Sequence, residues 1–260
     1  MSGVFRVGGE EYDDFMGRYS NQLAIPFADF AGVRPGERVV DVGAGTGALT
    51  RELLARGIDV VAVEPSPEFV ETLRQRHPDI DTHLAPAEQL PFEDGTFDHA
   101  LAQLVVAFMT DAPAAMRELA RVARSVAICM WGVEEFELFS AINRAATTIH
   151  AERSEPGAWR YRTQDELVGL LQPFGEVTTG VIDITASYGS FDELWRTLEH
   201  QVGPAGAWLA KLDDAGRDRA RTEIRRELGS PDGPFALTGR CYAARVSTDA
   251  RSAPVPTSVT

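Results

Sequence analysis

Short apolar runs alternate with helical patterns along the first half of the chain. Runs rich in valine, isoleucine and other apolar residues predict strands at 37–43, 58–64, 80–85, 97–106 and 125–131. Apolar side chains at helical spacing predict helices at 46–57, 66–77 and 111–123. This alternation predicts an α/β fold in which a doubly wound parallel sheet carries helices on both faces.

The segments that flank this core have other patterns. Residues 10–33 look helical and precede the first strand, and residues 132–172 and 190–229 are mostly helical. The runs 175–185 and 235–247 alternate like strands. We expect a single domain over 1–248, with 37–131 as its core, and a disordered tail over 249–260, where Pro, Ser and Thr are frequent.

Charge and composition exclude several classes of protein. The formal net charge of −14 opposes binding to nucleic acid or to an anionic membrane surface. The first residues lack the pattern of a signal peptide, and no uncharged run approaches the ~20 residues of a membrane span. We therefore expect a soluble cytoplasmic protein that binds neither nucleic acid nor a membrane. Two further expectations, which charge does not decide, are a small-molecule partner and a monomer or homodimer.

Three glycines follow the first predicted strand, in "VVDVGAGTGALT" (39–50). Glycine inside regular structure costs roughly 0.5–1 kcal/mol relative to alanine, so Gly43, Gly45 and Gly47 need a compensating reason, which is usually a ligand close to the main chain. Glu64 ends the second strand, where a carboxylate can accept hydrogen bonds from both hydroxyls of a ribose. Strand, glycines, helix, strand and acid in this order predict an adenosine site.

The identity of the adenosine cofactor depends on further residues. "GAGTGA" also fits a dinucleotide fingerprint, which keeps an NAD-dependent oxidoreductase as an alternative. Lys211 is the sole lysine, so the chain has neither a GK[ST] phosphate loop nor a Tyr-x-x-x-Lys pair. Asp41, inside the first strand, could accept hydrogen bonds from the glycine turn or from a cationic ligand. A second alternative is an inactive partner-binding protein that keeps the cofactor as a structural element.

Several segments, in order and spacing, resemble class I S-adenosylmethionine-dependent methyltransferases. They are "YDDFMGRYSNQLA" (12–24), "VVDVGAGTGALTREL" (39–53), "VVAVEPSPEFVETLRQRHP" (60–78), "APAEQLPFEDGTFDHALAQLVVAFMTD" (85–111) and "RELARVA" (117–123). The resemblance implies a Rossmann-like seven-stranded sheet of order 3-2-1-4-5-7-6 with the last strand antiparallel. It also implies S-adenosylmethionine as cofactor and in-line methyl transfer to a small-molecule acceptor.

The same resemblance implies roles for the flanking segments and for single residues. Residues 10–33 would cover the cofactor, and 132–172 and 190–229 would form a substrate lid. Asp41 would lie near the cofactor's ammonium, Arg18 and Tyr19 near its carboxylate, and Gln103 near its amino acid part. The residues that would contact the cofactor are Arg18, Tyr19, Asp41, Gly43, Ala44, Gly45, Gly47, Glu64, Pro65, Ser66, Ala87, Glu88 and Gln103.

Within that set, Glu64 would bind the ribose, Pro65 and Ser66 would flank the adenine, and Ala87 and Glu88 would cover the adenine edge. The chain also departs from the family. Relatives often have Asp where this chain has Pro86, so either Glu88 substitutes for that carboxylate or the bond is missing. Relatives usually have "PGG" after the helix that ends in "RV". This chain continues as "RVARSVAICMW", so the turn after that helix is shortened.

Acceptor and base are less well defined by the sequence. Trp131, His150 and Trp195 are the candidate acceptor contacts, and no catalytic residue can be named. The family's sheet order would make Cys129 and Cys241 neighbours on adjacent strands, where we expect both to stay reduced.

Overall fold

The computed structural model describes residues 9–149, 160–200 and 202–248. Its strands are Arg38–Val42 (β1), Asp59–Glu64 (β2), Asp81–Leu84 (β3), Phe97–Gln103 (β4), Ala123–Trp131 (β5), Val177–Tyr188 (β6) and Phe235–Ser247 (β7). They form one sheet of order β3-β2-β1-β4-β5-β7-β6. Pairs among β1 to β5 are parallel, whereas β7 is antiparallel to β5 and to β6. The predicted fold class, strand order and antiparallel last strand are confirmed.

Helices surround this sheet. They are Gly9–Tyr12 (α1), Arg18–Ala31 (α2), Ala48–Ala55 (α3), Pro67–Arg76 (α4), Ala112–Val122 (α5), Glu137–Thr148 (α6), Gln164–Leu171 (α7), Phe191–Glu199 (α8), Gly203–Ala210 (α9) and Asp214–Glu227 (α10). A π-helical turn, Asp13–Gly17, joins α1 to α2. None of the helices in the described ranges is long and apolar enough to cross a membrane.

The central strands are buried on both faces. Val39, Val40 and Val42 of β1 are fully buried and pair in register with β2. The sheet separates two apolar clusters: residues of α2, α3 and α8 pack on one face, and residues of α5 and α7 pack on the other. β-branched side chains fit this two-sided burial, which explains why continuous apolar runs marked the strands in the sequence.

Element boundaries are explained by local chemistry. Ser66 accepts a hydrogen bond from the N–H of Phe69 and Pro67 occupies the first turn of α4, as the sequence predicts. The shortened turn before β5 proves to be absent, since α5 ends at Val122 and β5 begins at Ala123 with extended backbone.

Other boundaries differ from the prediction. The helical stretch predicted over 190–229 is divided into α8, α9 and α10, and the strand predicted over 175–185 is longer, reaching Tyr188. Cys129 and Cys241 lie on adjacent strands as expected, and both are buried free thiols. Residues 249–260, predicted to be a disordered tail, lie outside the described residues.

Candidate active site

The glycine-rich turn follows β1 at the carboxyl edge of the sheet. Gly43 and Gly45 have φ of 71° and 57°, a left-handed backbone that favours glycine. A Cβ on Gly43 would lie 2.4 Å from Val105 Cγ2, whereas a Cβ on Gly45 would meet nothing within 4 Å. Glycine is therefore required at position 43 because Val105, which follows β4, packs against it. Gly45 instead presents bare backbone to open space. The ligand argument from sequence applies best to Gly45.

A small polar pocket opens beside this turn. Two of its buried atoms, Ser20 Oγ and Gln103 Oε1, have no hydrogen-bond partner within the described part of the chain. The Gln103 amide is itself fixed, because its Nε2 donates to the Ser20 carbonyl oxygen at 3.0 Å. Leaving a buried polar atom unpaired costs about 1–3 kcal/mol, so both atoms point to a polar ligand. The pocket is lined by Tyr12, Ser20, Asp41, Gly43, Ala44, Gly45, Thr46, Ala48, Leu49, Gln103 and Leu104.

Two buried carboxyl groups lie at the carboxyl ends of β1 and β2. Burial raises the pKa of Asp41 to about 6, although the hydroxyl of Thr50 donates to its Oδ2 at 2.7 Å. Burial likewise raises the pKa of Glu64 to about 7, and the nearby Asp41 charge adds to this shift. The backbone N–H groups of Gly45 and Ser66 each donate a hydrogen bond to the Glu64 carboxylate at 2.9 Å, and these bonds act to lower its pKa. Glu64 is thus held against the glycine turn.

The residues predicted to surround the adenine follow β2 and β3. Ser66 caps α4, Pro65 precedes it half-buried, and Ala87 is buried. The carboxylate of Glu88 accepts hydrogen bonds from the N–H groups of Thr110 and Asp111 through Oε1, at 2.7 and 3.0 Å. In this structure Glu88 fixes the segment that begins α5, and its role toward adenine stays a prediction. Gly47, φ 93°, packs against α4 and does not line the pocket.

The N-terminal segment covers the turn with residues that the sequence interpretation missed. Tyr12 lines the polar pocket, and its ring packs edge-on against Phe69 with centroids 5.5 Å apart. Asp13 accepts a hydrogen bond from the Thr46 hydroxyl at 2.6 Å and pairs with Arg76 at 2.6 Å. This links the π-helical turn to the glycine turn and to α4.

Arg18 and Tyr19, predicted to meet the cofactor's carboxylate, do not line this pocket. The Arg18 guanidinium pairs with Glu193 of α8 and donates to the Ser187 carbonyl oxygen. Tyr19 is fully buried, and its hydroxyl accepts a hydrogen bond from Tyr188. Ser20, the next residue, lines the pocket, and the roles of Arg18 and Tyr19 toward the cofactor stay predictions. A signal for Ser20 existed, because it is a polar residue on the apolar stripe of α2.

An apolar cavity adjoins the polar pocket. The space in it that the centres of water-sized molecules can occupy is about 60 Å³. Tyr12 and Leu104 line both spaces and so form the shared wall. Leu104 has φ 62°, an unusual backbone for a residue with a side chain. The apolar lining includes Phe15, Met16, Met130, Trp131, Val133, Phe139, Val202 and Ala205.

The predicted acceptor contacts divide between this cavity and other places. Trp131, at the end of β5, lines the cavity, and its buried indole N–H has no partner among the residues described. Trp195 does not line it; its ring stacks on Phe191, and its N–H donates to Glu199 at 2.9 Å. His150 lies outside the described residues.

The seven-stranded sheet of order β3-β2-β1-β4-β5-β7-β6, with β7 antiparallel, is the Rossmann-like fold of class I methyltransferases. Residues 40–130 match a family model described as a methyltransferase domain, and this match supports the resemblance to class I S-adenosylmethionine-dependent methyltransferases. The match covers β1 to β5 and ends before helices α6 to α10. The acceptor side of the molecule is therefore outside it.

Relatives and solved structures agree with this class. An uncharacterized methyltransferase of Mycobacterium bovis is 44% identical over 34% of this chain and 35% of its own length. The malonyl-[acyl-carrier protein] O-methyltransferase of Serratia marcescens is 36% identical over 46% of this chain and 47% of its own. The chain thus spans less than half the length of these curated relatives. A putative methyltransferase from an antibiotic biosynthesis pathway of Anabaena variabilis has a similar fold, with TM-score 0.58 and 18% identity, covering 85% of this chain and 96% of that chain.

Proposed function

We propose that this protein transfers the methyl group of S-adenosylmethionine to a small, largely apolar acceptor. The observation that carries the proposal is the shared wall of Tyr12 and Leu104, which places a polar pocket with unpaired buried atoms beside an apolar cavity. A cofactor with a charged amino acid part fits the first space. An apolar acceptor fits the second, and the wall is where donor and acceptor would meet.

The chain's polar groups suit the parts of S-adenosylmethionine. Asp41 and Gln103 Oε1 can accept hydrogen bonds from its ammonium, and the Ser20 hydroxyl can donate to its carboxylate. Glu64 can accept from the ribose hydroxyls once its own bonds to the turn rearrange, with Pro65, Ser66, Ala87 and Glu88 near the base. When bound, the cofactor supplies a methyl group already activated by a sulfonium.

The protein's contribution to such a reaction is placement. Holding two reactants in line can provide roughly 7–11 kcal/mol of the barrier through entropy already lost on binding. Among the lining residues that the structure describes, the apolar cavity has no Asp, Glu, His, Lys or Cys that could act as a base. Tyr12 also lines it, but burial raises the pKa of its phenol well above the usual range, so the phenol stays protonated. We infer an acceptor whose reacting atom has no proton to lose or releases it to solvent. Ser20, Asp41 and Gln103 would hold the cofactor, whose sulfonium would supply the methyl group and keep the electron pair of the broken carbon–sulfur bond.

The test is formation of S-adenosylhomocysteine with a panel of apolar carboxylic acids, phenols, thiols and amines. We expect product with at least one class, together with the mass increase of one methyl group on that acceptor. A Gln103→Leu variant should form much less product, whereas Thr179→Ala, on the exposed surface of β6, should match wild type. Binding of the cofactor without turnover of any class would favour the inactive, partner-binding alternative. Absence of cofactor binding would contradict the proposal altogether.

A further inference from the structure

We infer that the acceptor carries an anionic oxygen group, carboxylate or phosphate, which Arg160 and Arg162 bind at the mouth of the apolar cavity. The inference rests on the proposed function, because it describes the acceptor of that reaction. It adds the acceptor's charge and names the two residues that select for it.

The charge of the cavity wall is the first observation. Arg160 and Arg162 are charged, and the other lining residues in the described ranges are uncharged, with no acid among them. This is unexpected in a chain with 39 acidic and 25 basic residues. A neutral apolar acceptor would need no cation at the cavity mouth, and a cationic acceptor would be repelled there.

The second observation is that neither guanidinium has a carboxylate partner in the described structure. Arg160 donates to the Tyr161 hydroxyl at 2.8 Å and lies 5.0 Å from that ring's centroid. Arg162 donates a hydrogen bond through its backbone N–H to the Glu166 carboxylate at 3.0 Å, and this bond leaves its guanidinium uninvolved. Elsewhere in the molecule arginines such as Arg240 pair closely with acids. The two cavity arginines therefore have donors available for an oxyanion.

The backbone fixes where these side chains begin. Tyr161, between them, has φ 60°, a conformation that costs a residue with a side chain of order 1 kcal/mol and persists where surrounding contacts impose it. Directly after it, Thr163 and Glu166 form a reciprocal capping box at the start of α7. The arginines thus stand on an anchored turn.

A third observation concerns the interior of the cavity. The Trp131 side chain is 5% exposed, its ring lines the cavity, and its N–H has no partner among the described residues. A ligand with an acceptor atom on an apolar body would pair with this donor, while its anion stays at the half-solvated mouth. Apolar body, acceptor atom and oxyanion together define the ligand class.

The experiment compares ligands that share one apolar skeleton: 2-naphthoate, 2-naphthyl phosphate and neutral 2-naphthalenemethanol. Binding is measured by calorimetry on the full chain saturated with S-adenosylhomocysteine. We expect wild type to bind at least one anion about tenfold more tightly than the alcohol, an effect reduced by 0.5 M salt because the contacts are solvent-exposed. The carboxylate and phosphate arms show which oxyanion the site prefers.

The variant is the double change Arg160→Gln and Arg162→Gln, and its control is Arg117→Gln with Arg219→Gln. Each variant replaces two arginines, so the two variants have the same net charge. All four side chains are exposed, so both variants should fold. The preference for anions should vanish in the first variant and persist in the control. Equal binding of alcohol and anions by wild type, no binding of any probe, or an unchanged preference in the first variant would overturn the inference. Failure of the wild-type protein to bind S-adenosylhomocysteine would instead contradict the proposed function.

Discussion

The buried carboxyl group of Glu64 should make the stability of the protein depend on pH in a defined direction. Its pKa rises from 4.5 to about 7 on folding, chiefly because the group is buried. The folded protein therefore keeps a proton that the unfolded chain releases. Stability from this group is fully present below the unfolded pKa and is lost as pH rises toward 7. Glu64→Gln removes the titration and should remove this loss.

The expected size follows from the two pKa values. For one group titrating at 4.5 when unfolded and at about 7 when folded, linkage gives a loss of roughly 2.5 kcal/mol in the free energy of unfolding between pH 5 and pH 8. Glutamine keeps one carbonyl oxygen where glutamate offers two, so one of the bonds from Gly45 and Ser66 should weaken. That change shifts the variant's stability by a constant amount and leaves the pH dependence as the diagnostic quantity.

The assay is urea unfolding of ligand-free wild type and Glu64→Gln at several pH values from 5 to 8. The difference between their unfolding free energies should move in the variant's favour by roughly 2.5 kcal/mol as pH rises. Asp41 titrates in both proteins and cancels to first order. Glu176→Gln, an exposed site, is the control and should run parallel to wild type. Parallel curves for wild type and Glu64→Gln would refute the reasoning.

Three further predictions concern the glycine turn, the N-terminal segment and the two thiols on β5 and β7. Gly43→Ala should destabilise the fold by more than 1 kcal/mol in urea unfolding, since the new Cβ would lie 2.4 Å from Val105; an unchanged midpoint would contradict this. Asp13→Ala should speed proteolysis of the N-terminal segment and release of S-adenosylhomocysteine, because it loses two anchoring bonds; unaltered rates would show that these bonds do not hold the cover closed. Cys129 and Cys241 should resist alkylation in the native protein and yield two thiols when unfolded; fewer than two would indicate oxidation.

Much of the fold could be predicted because the core strands are read from local patterns. The continuous apolar runs of β1 and β2 reflect burial on both faces of the sheet, and the cap of α4 is a local signal. The strand order was implied by the resemblance and is confirmed. Helix divisions in the second half were harder to predict, because these helices depend on tertiary packing: α8 packs against α9 and β6, and α10 packs against α6.

The candidate site shows the same division between local and tertiary information. Asp41, Gly45 and Gln103 line the polar pocket because strand ends fix them there. Arg18 and Tyr19 are neighbours of Ser20 in sequence, but successive helical residues point about 100° apart, and only tertiary packing decides which one faces the turn.

The acceptor side shows this more strongly. Trp131 is placed in the cavity by its strand, whereas Trp195 is turned into a neighbouring helical contact. Arg160 and Arg162 gave no periodic signal in the sequence, because their position depends on an irregular turn. Side chains on loops and inserts are fixed by long-range contacts, which pattern analysis along the chain does not capture.

The central claim is that the pocket beside the glycine turn binds the amino acid part of S-adenosylmethionine. Calorimetric titration of ligand-free protein with S-adenosylhomocysteine tests it most directly. Wild type should bind one equivalent, Ser20→Ala should bind about tenfold more weakly because a bond to a charged group is lost, and Thr179→Ala should bind like wild type. No saturable binding by wild type, or equal affinity of wild type and Ser20→Ala, would contradict the account.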